Sequence, residues 1–392
     1  MNLKATLNEE HILTIFLEGA IDSATAPQAE EQIMEYYHAH EARAVELDAA
    51  ELKYISSSGL RVLLKLRKLE ENLKLVNVSS EIYEILEMTG FTELIPASKA
   101  YRSIDLENCK LLGEGGHGRV FRINDDTIVK LYHTGDGVED IKREQDYAKK
   151  AFVMGIPTAI PFDIVRHEDM YGLVFELVDA DLVSNYLNEH PDRLEDVAKE
   201  YAQTMKQLHT THAAPGALSS TKELYRSRIE GLRPYMTEEE VDTLLRINEA
   251  IPECDTVVHG DFHPKNVMIQ NEELVLIDMA DLTSGNPLYD LGSMILSHEI
   301  PSDERIENIT DMKAQDVRRL WRLFLAHYLE TEDQRAIELF TKKIYVVGLM
   351  KMAATLAFST RARIPGVMER VLEGVRSKLL VNAEQVIQLL SM

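Results

Sequence analysis

Along the first hundred positions, apolar residues alternate between short continuous runs and stripes at helical spacing. Ile12, Leu13, Ile15, Phe16 and Leu17 form a strand-like run closed by Glu18-Gly19-Ala20, and residues 24–40 read as a helix with Pro27 tolerated in its first turn. Residues 44–48 have the pattern of a second buried strand. Between Leu60 and Leu73 the apolar positions recur three and four apart, with Arg61, Lys65, Lys68 and Glu70 on the opposite arc, which predicts an amphipathic helix. Residues 73–78 predict a third strand and residues 81–88 a last helix, closed by Gly90. The alternation predicts a small α/β unit over residues 1–100, with Pro96-Ala97-Ser98-Lys99 as the expected linker.

The pattern then changes. Strand-like runs at 120–123, 127–132 and 173–178 flank one helical stretch at 138–154. Beyond Asp179 helical spacing dominates, at 194–209, 222–230, 238–250, 317–328, 333–358 and 366–390. A β-rich part followed by a helical part predicts one domain over 104–392 with two lobes, 104–178 and 179–392, and a cleft between them. The most apolar late stretch, 344–358, is interrupted by Lys351 and reads as a buried helix, not a membrane span.

Charge narrows the field of partners. The chain has 392 residues, with 42 Lys+Arg against 66 Asp+Glu, a formal net charge of −24. That surplus opposes nucleic-acid phosphates and anionic membranes, and the sequence offers no basic stripe to overcome it. The two cysteines, Cys109 and Cys254, stand alone, without metal-ligand or redox spacing. The first residues lack the apolar run of an export signal, so a cytoplasmic protein is expected.

Leu47-Asp48 through Ser56-Ser57-Ser58-Gly59-Leu60 runs from a strand into a helix through three serines. Hydroxyls at a helix start accept hydrogen bonds from free amides, which accounts for one serine as a cap but not for three. A phosphate there would sit at the positive end of the helix dipole. On these residues the first unit resembles the STAS domain of anti-sigma-factor antagonists, with their D-S-S-G loop between strand and helix. The resemblance implies Ser57 as a regulatory phosphosite and a signalling protein as partner. Ser56 stands where that family carries an acid.

In the second unit, Gly113-Glu114-Gly115-Gly116-His117-Gly118-Arg119-Val120 leads into a strand and reads as G-x-G-x-x-G-x-V, a hairpin whose backbone can approach phosphates closely. A Rossmann reading fails because a helix would have to follow the glycines. Lys130 stands within an apolar strand, either paired with an anion or facing outward from an edge strand. Glu144 is its natural partner and Glu139 the fallback. The strongest pattern is His259-Gly260-Asp261-Phe262-His263-Pro264-Lys265-Asn266, read as H-x-D-x-x-x-x-N, followed by Asp278 at the end of a hydrophobic strand. An aspartate on such a loop can accept the proton of an attacking hydroxyl, and the asparagine and later aspartate suit Mg²⁺ held between phosphates.

Together these motifs resemble the aminoglycoside phosphotransferase and choline kinase-like branch of the protein-kinase-like fold, an α+β bilobal architecture. The resemblance implies ATP and Mg²⁺ as cofactors, with Lys130 and Glu144 as the phosphate-gripping pair, Asp261 as catalytic base, and Asn266 and Asp278 as metal ligands. It places Gly113, Gly115, Gly118 and Val120 over the nucleotide and Glu176 and Val178 at the adenine hinge. His259 and Asp290 would support the catalytic loop, Asp290 within Asn286-Pro287-Leu288-Tyr289-Asp290-Leu291, where Asn286 departs from the D-P-x-x-D-L pattern. Loss of Lys130 is expected to weaken nucleotide use and leave the fold intact.

Protein kinases carry H-R-D and a long activation segment. Here Gly260 replaces the arginine, and Asp278 and Asp290 stand too close together for such a segment. The expected activity is therefore transfer of the ATP γ-phosphate to a hydroxyl of a small molecule. Glu238, Glu239, Glu240 and Asp242 could attract a cationic acceptor, though on so acidic a chain a solvated helix face is the simpler reading. The alternative is a regulatory interaction protein whose kinase-like part senses nucleotide or phosphorylates a STAS serine.

Overall fold

The computed structural model describes residues 2–8, 11–40, 42–115, 118–133, 137–168, 170–331, 333–359 and 364–392. The chain divides into two compact units, Met1–Ile104 and Asp105–Met392.

The first unit is built on strands β1 (Asn2–Leu7), β2 (Ile12–Ile21), β3 (Ala44–Asp48), β4 (Leu52–Ile55), β5 (Leu73–Val78) and β6 (Ala97–Lys99), with helices α1 (Ala26–Ala39), α2 (Ser57–Leu69), α3 (Ser80–Met88) and α4 (Phe91–Leu94). A short β7 (Arg102–Ser103) follows. The sheet runs β1-β2-β3-β5-β6, with β4 also on β2. Only the β1–β2 pair is antiparallel; β3, β4, β5 and β6 join in parallel. Leu13, Ile15 and Leu17 alternate inward along β2 at 0–1% exposure and meet Ile33, Leu63 and Leu66 from α1 and α2. The expected linker is not one: Ala97–Lys99 is an edge strand paired with β5, Leu75 opposite Ala97 and Val78 opposite Lys99. A three-residue edge strand with Ser and Lys carries no hydrophobic run to announce it.

The three serines divide their tasks. The Ser56 side chain caps α2, accepting from the amides of Ser58 and Gly59 at 3.2 and 3.4 Å. Ser57 is exposed. Gly59 is fixed by packing, since a Cβ there would lie 2.8 Å from the Ile21 carbonyl oxygen and 2.7 Å from the Ile55 side chain.

The second unit opens with an antiparallel sheet of β8 (Lys110–Gly115), β9 (Gly118–Arg122), β10 (Thr127–Tyr132), β11 (Pro161–His167) and β12 (Met170–Glu176), in the order β11-β12-β10-β9-β8, with α5 (Val138–Val153) packed against it. There follow β13 (Asp181–Leu182), α6 (Val183–Glu189), α7 (Leu194–Thr210), α8 (Thr221–Glu230) and α9 (Glu238–Glu249). The strands β14 (Val257–Val258), β15 (Val267–Gln270), β16 (Glu273–Leu276) and β17 (Thr283–Ser284) carry the motif loops. The α-helices that follow among the described residues are α10 (Leu288–His298), α11 (Asp303–Thr310), α12 (Ala314–Leu329), α13 (Gln334–Leu356), α14 (Val367–Lys378) and α15 (Ala383–Ser391). The helix expected over 366–390 is thus broken by a 3₁₀ turn at Leu380–Asn382. The expected apolar helix is α13, buried from Ile344 to Leu356 along most of its second half. It crosses α10 with almost no side chain between them: a Cβ at Gly348 would lie 2.5 Å from the Gly292 carbonyl oxygen.

Ser56→Ala should lower the stability of the first unit by about 1 kcal/mol through loss of the cap. Ser57→Ala should change it by less than about 0.5 kcal/mol, as for an exposed position. Urea titration of the full chain compares the two.

Candidate active site

Lys130 lies in β10, between β9 and β12, so it is on a central strand and not an edge. Its Nζ donates to Glu144 Oε1 at 2.8 Å and to Asp278 Oδ1 at 3.1 Å. Glu144 faces inward from α5 beside Ile141, Tyr147, Ala148 and Ala151, and is 2% exposed. Its second oxygen accepts from the Tyr132 hydroxyl at 2.7 Å. The alternative partner, Glu139, instead pairs with Lys142 on the helix surface. Burial works against the Lys130 ammonium, but the two carboxylates outweigh it and raise its pKa. Burial likewise pushes the Glu144 carboxyl up, with Lys130 pulling the other way.

Asp278 follows β16 with φ +63°, a left-handed backbone that a non-glycine residue adopts only under constraint. The neighbouring Ile277 amide donates to the Asn266 carbonyl at 3.0 Å, tying the end of that strand to the Asp261–Asn266 loop. Within the loop, Asn266 Nδ2 donates to the Asp261 carbonyl at 3.0 Å and to Asp261 Oδ2 at 3.2 Å. Both bonds use the amide nitrogen and fix the orientation of the side chain. His263 Nε2 lies 3.5 Å from the same Asp261 oxygen, and its Nδ1 accepts from the Lys265 amide. Burial raises the Asp261 pKa, but His263 and the more distant His259 and Lys351 overcome it and hold the carboxyl down at about 2.

Asp290 supports this loop from below. It is wholly buried, and its two oxygens accept from the backbone amides of His259 at 2.7 Å and Gly260 at 2.6 Å. His209 Nε2 donates to it at 3.1 Å. Burial raises its pKa, but the His209 hydrogen bond and the charges around it keep it below the usual value. Gly260 has φ +91°, and a Cβ there would lie 2.6 Å from the Asp281 carbonyl oxygen, so no other residue fits the turn. Asn286, the departure from the family pattern, accepts from the Leu288 amide at 3.0 Å and so makes the same turn into α10 that an aspartate would. His259 is fully buried edge-on to Phe262, its Nδ1 accepting from the Asp261 amide and its Nε2 unpartnered.

The glycine loop lies beside Lys130. Val120 stands directly across from Lys130 in the β9–β10 register, on the same face. Among the described residues nothing lies within 4 Å of a Cβ built at Gly113 or Gly115, whereas Gly118, at φ +146°, would drive one into the Leu131 carbonyl. Gly118 is therefore required by the strand pairing itself, and the openness at Gly113 and Gly115 leaves room for a ligand. Gly116 and His117 lie outside the described residues. At the expected hinge, the Glu176 carboxylate accepts from the Ile160 amide and the Leu177 amide donates to the Asp126 carbonyl, while the Val178 amide meets no acceptor among the described residues. Glu176 and Val178 line a cavity of about 440 Å³ with Phe152, Ile156 and Gln270, apart from the charged cluster.

Among the described residues no group of three or more His, Cys, Asp or Glu could hold a metal. Asn266 and the Asp278 oxygen not paired with Lys130 are the oxygen groups that would hold an ion such as Mg²⁺, whose remaining ligands would be phosphates and water. The acidic run on α9 is a helix start: Glu240 forms a capping box with Thr237 and a two-point pair with Arg376 at 2.6 and 3.0 Å.

Residues 108–327 match the Phosphotransferase enzyme family. The chain belongs to that family. Residues 4–106 match the STAS domain. That domain is 33% identical over 103 residues to BtrV of Bordetella bronchiseptica, covering 25% of this chain and 88% of the relative. It is 32% identical over 102 residues to the anti-sigma-B factor antagonist of Listeria monocytogenes, covering 24% and 88%. Among solved structures, the ADP-bound aminoglycoside phosphotransferase APH(2'')-Ib has a TM-score of 0.46 at 17% identity, covering 80% of this chain and 98% of that one. No helix among the described residues of this family member is long and apolar enough to cross a membrane.

The phosphotransferase unit gathers Lys130, Glu144 and Asp278 into one cluster and Asp261, Asn266, His259 and Asp290 around one loop. Sequence reasoning missed Tyr132, two positions from Lys130 on the same face of β10, though that alternation could have found it. His209 had no signal at all, since only the packing of α7 brings it to Asp290.

The geometry weighs against one expectation: Lys130 is the cation paired with the buried Glu144 carboxylate, so its loss should be felt by the fold. Lys130→Ala should cost about 3 kcal/mol by stranding Glu144. Adding Glu144→Gln should recover much of it, as a thermal-melt cycle would show. A second outcome concerns Glu240, whose carboxyl Arg376 holds at about 2 against an ordinary 4.5. Its folded pKa is depressed, so its stabilisation is present above about pH 4.5 and disappears as pH falls toward 2. The stability difference between the wild type and Glu240→Gln should shrink over that window in urea titrations.

Proposed function

We propose that the second unit is an ATP- and Mg²⁺-dependent kinase that transfers the γ-phosphoryl group to a hydroxyl of a small molecule, and that the STAS unit regulates it or binds a partner. The observation that supports this most is the pairing of Lys130 with both Glu144 and Asp278, beside a loop that presents Asp261 and Asn266 together. In this reading Lys130 grips the α- and β-phosphates, Glu144 orients it, and Asn266 and Asp278 would hold the metal, which neutralises charge on the β- and γ-phosphates. The Val178 amide, which meets no acceptor among the described residues, would receive the adenine edge.

Asp261 binds the acceptor hydroxyl. One of its oxygens is occupied by Asn266 and faced by His263, which leaves the other for the substrate. The acceptor oxygen bonds to the γ-phosphorus as the bond to the β,γ-bridging oxygen breaks. The hydroxyl proton passes to Asp261 and ADP departs with the bond's electron pair. A carboxylate with so low a pKa remains ionised and orients the hydroxyl first, taking the proton late, when the oxygen has become acidic.

Ser57 supports a second reading. Because Ser56 supplies the cap, the Ser57 hydroxyl is exposed and uncommitted, open to phosphorylation by a partner kinase or by this one. Incubation with γ-labelled ATP, Mg²⁺ and a panel of hydroxylated small molecules distinguishes the two. Label transferred to a small molecule, and reduced by about 10²–10⁴-fold in Asp261→Asn, is expected. Label retained on Ser57, with none on any small molecule, favours the regulatory reading, and equal turnover in both proteins overturns the enzyme.

A further inference from the structure

Lys351 is a buried lysine that the phosphotransferase chemistry leaves unused; the other, Lys222, is paired with Glu253. It lies on α13 at 4% exposure, and no carboxylate lies within ion-pairing distance of it among the described residues. Its Nζ donates to one group, the carbonyl of Tyr289 at 2.7 Å, and rests 5.0 Å from the centre of the Tyr225 ring. Tyr225 stacks on Tyr289 at 5.4 Å, and the Tyr289 hydroxyl donates to the buried Asn248 at 2.7 Å. An ammonium held this way is costly to bury, so a neutral residue would serve packing alone better. The peptide that Lys351 grips is the one joining Tyr289 to Asp290, and Asp290 in turn holds the amides of His259 and Gly260.

We propose that Lys351 is a positioning residue for the catalytic loop: by fixing the Tyr289 carbonyl it sets the first turn of α10, and through Asp290 it sets where Asp261 stands. Three observations converge on this. The bond from Lys351 is the link between α13 and the residue beside Asp290. The Gly292–Gly348 crossing brings the two helices to backbone distance one turn away, so the side chain has no slack. Ser293, on the next turn of α10, has its hydroxyl 3.4 Å from both the Gly260 carbonyl and the Tyr289 carbonyl, so α10 reaches both the amide and the carbonyl of Gly260. Lys351 touches no reacting atom; its charge adds to the field at Asp261 and Asp290, and its positioning effect passes through the Tyr289–Asp290 peptide.

This rests on the phosphotransferase reading, and the test separates the two. The acceptor being unidentified, Mg²⁺-ATP hydrolysis with water as acceptor is the assay, alongside hydrogen exchange of the peptide containing His259 and Gly260. Lys351→Met should lower kcat at least about tenfold, the effect of losing one well-placed hydrogen bond, with KM for Mg²⁺-ATP changed less than about twofold. The His259 and Gly260 amides should exchange faster. Lys351→Arg, which keeps a donor, should restore most of both. Should Lys351→Met not fold, Lys351→Gln is read in the same way, since its shorter amide keeps the packing but falls short of the Tyr289 carbonyl. Wild-type kcat and exchange in the variant that folds, or a fall in kcat matched by an equal rise in KM, overturns the proposal. Equal hydrolysis by the wild type and Asp261→Asn overturns the phosphotransferase reading instead, and the exchange rates then decide Lys351 alone.

Discussion

The Lys130 ammonium stands between two carboxylates that reach it from different parts of the chain, Glu144 from a helix and Asp278 from beyond a strand. Each partner restricts the rest. The strand must be central for the lysine to be shielded. The helix must turn its Ile141–Ala148 face inward for Glu144 to arrive, and Asp278 must take up a left-handed backbone to direct its oxygen at the same point. A half-buried cation with only one of these anions would leave a charge poorly compensated, so the three placements are satisfied together or not at all. The site is thereby assembled by the electrostatics of its own residues.

The motif residues were legible because each breaks a local rule that its neighbours obey. A lysine interrupts an apolar strand, a glycine cluster interrupts a hairpin, and polar residues crowd a loop between two apolar runs. Their roles within the loop were less legible than their presence, since a partner such as His209 or Lys351 is defined only by how distant helices pack. Lys351 was visible merely as a break in an apolar stretch; nothing in its own neighbourhood pointed to Tyr289. The strand Ala97–Lys99 was missed for the opposite reason. Its residues are unremarkable, and only the exposed edge of β5 makes them a strand.

Two departures from the family patterns share one physical explanation. Ser56 and Asn286 each stand where an acid is customary, and each supplies an oxygen that accepts a backbone amide at the start of a helix. The geometry of the turn needs an acceptor; it does not need a charge. Both substitutions keep the backbone path and remove one negative charge, which at Ser56 lies beside the exposed Ser57.

The meeting of Gly292 and Gly348 has a mechanical consequence. Two helices separated by side chains have a deformable layer between them, in which rotamers can yield and a small shift of one is lost before it reaches the other. Two helices in backbone contact have no such cushion. The crossing of α10 and α13 works as a bearing, so a sideways thrust on the long helix is delivered undamped to the short one and so to the floor of the loop that carries Asp261.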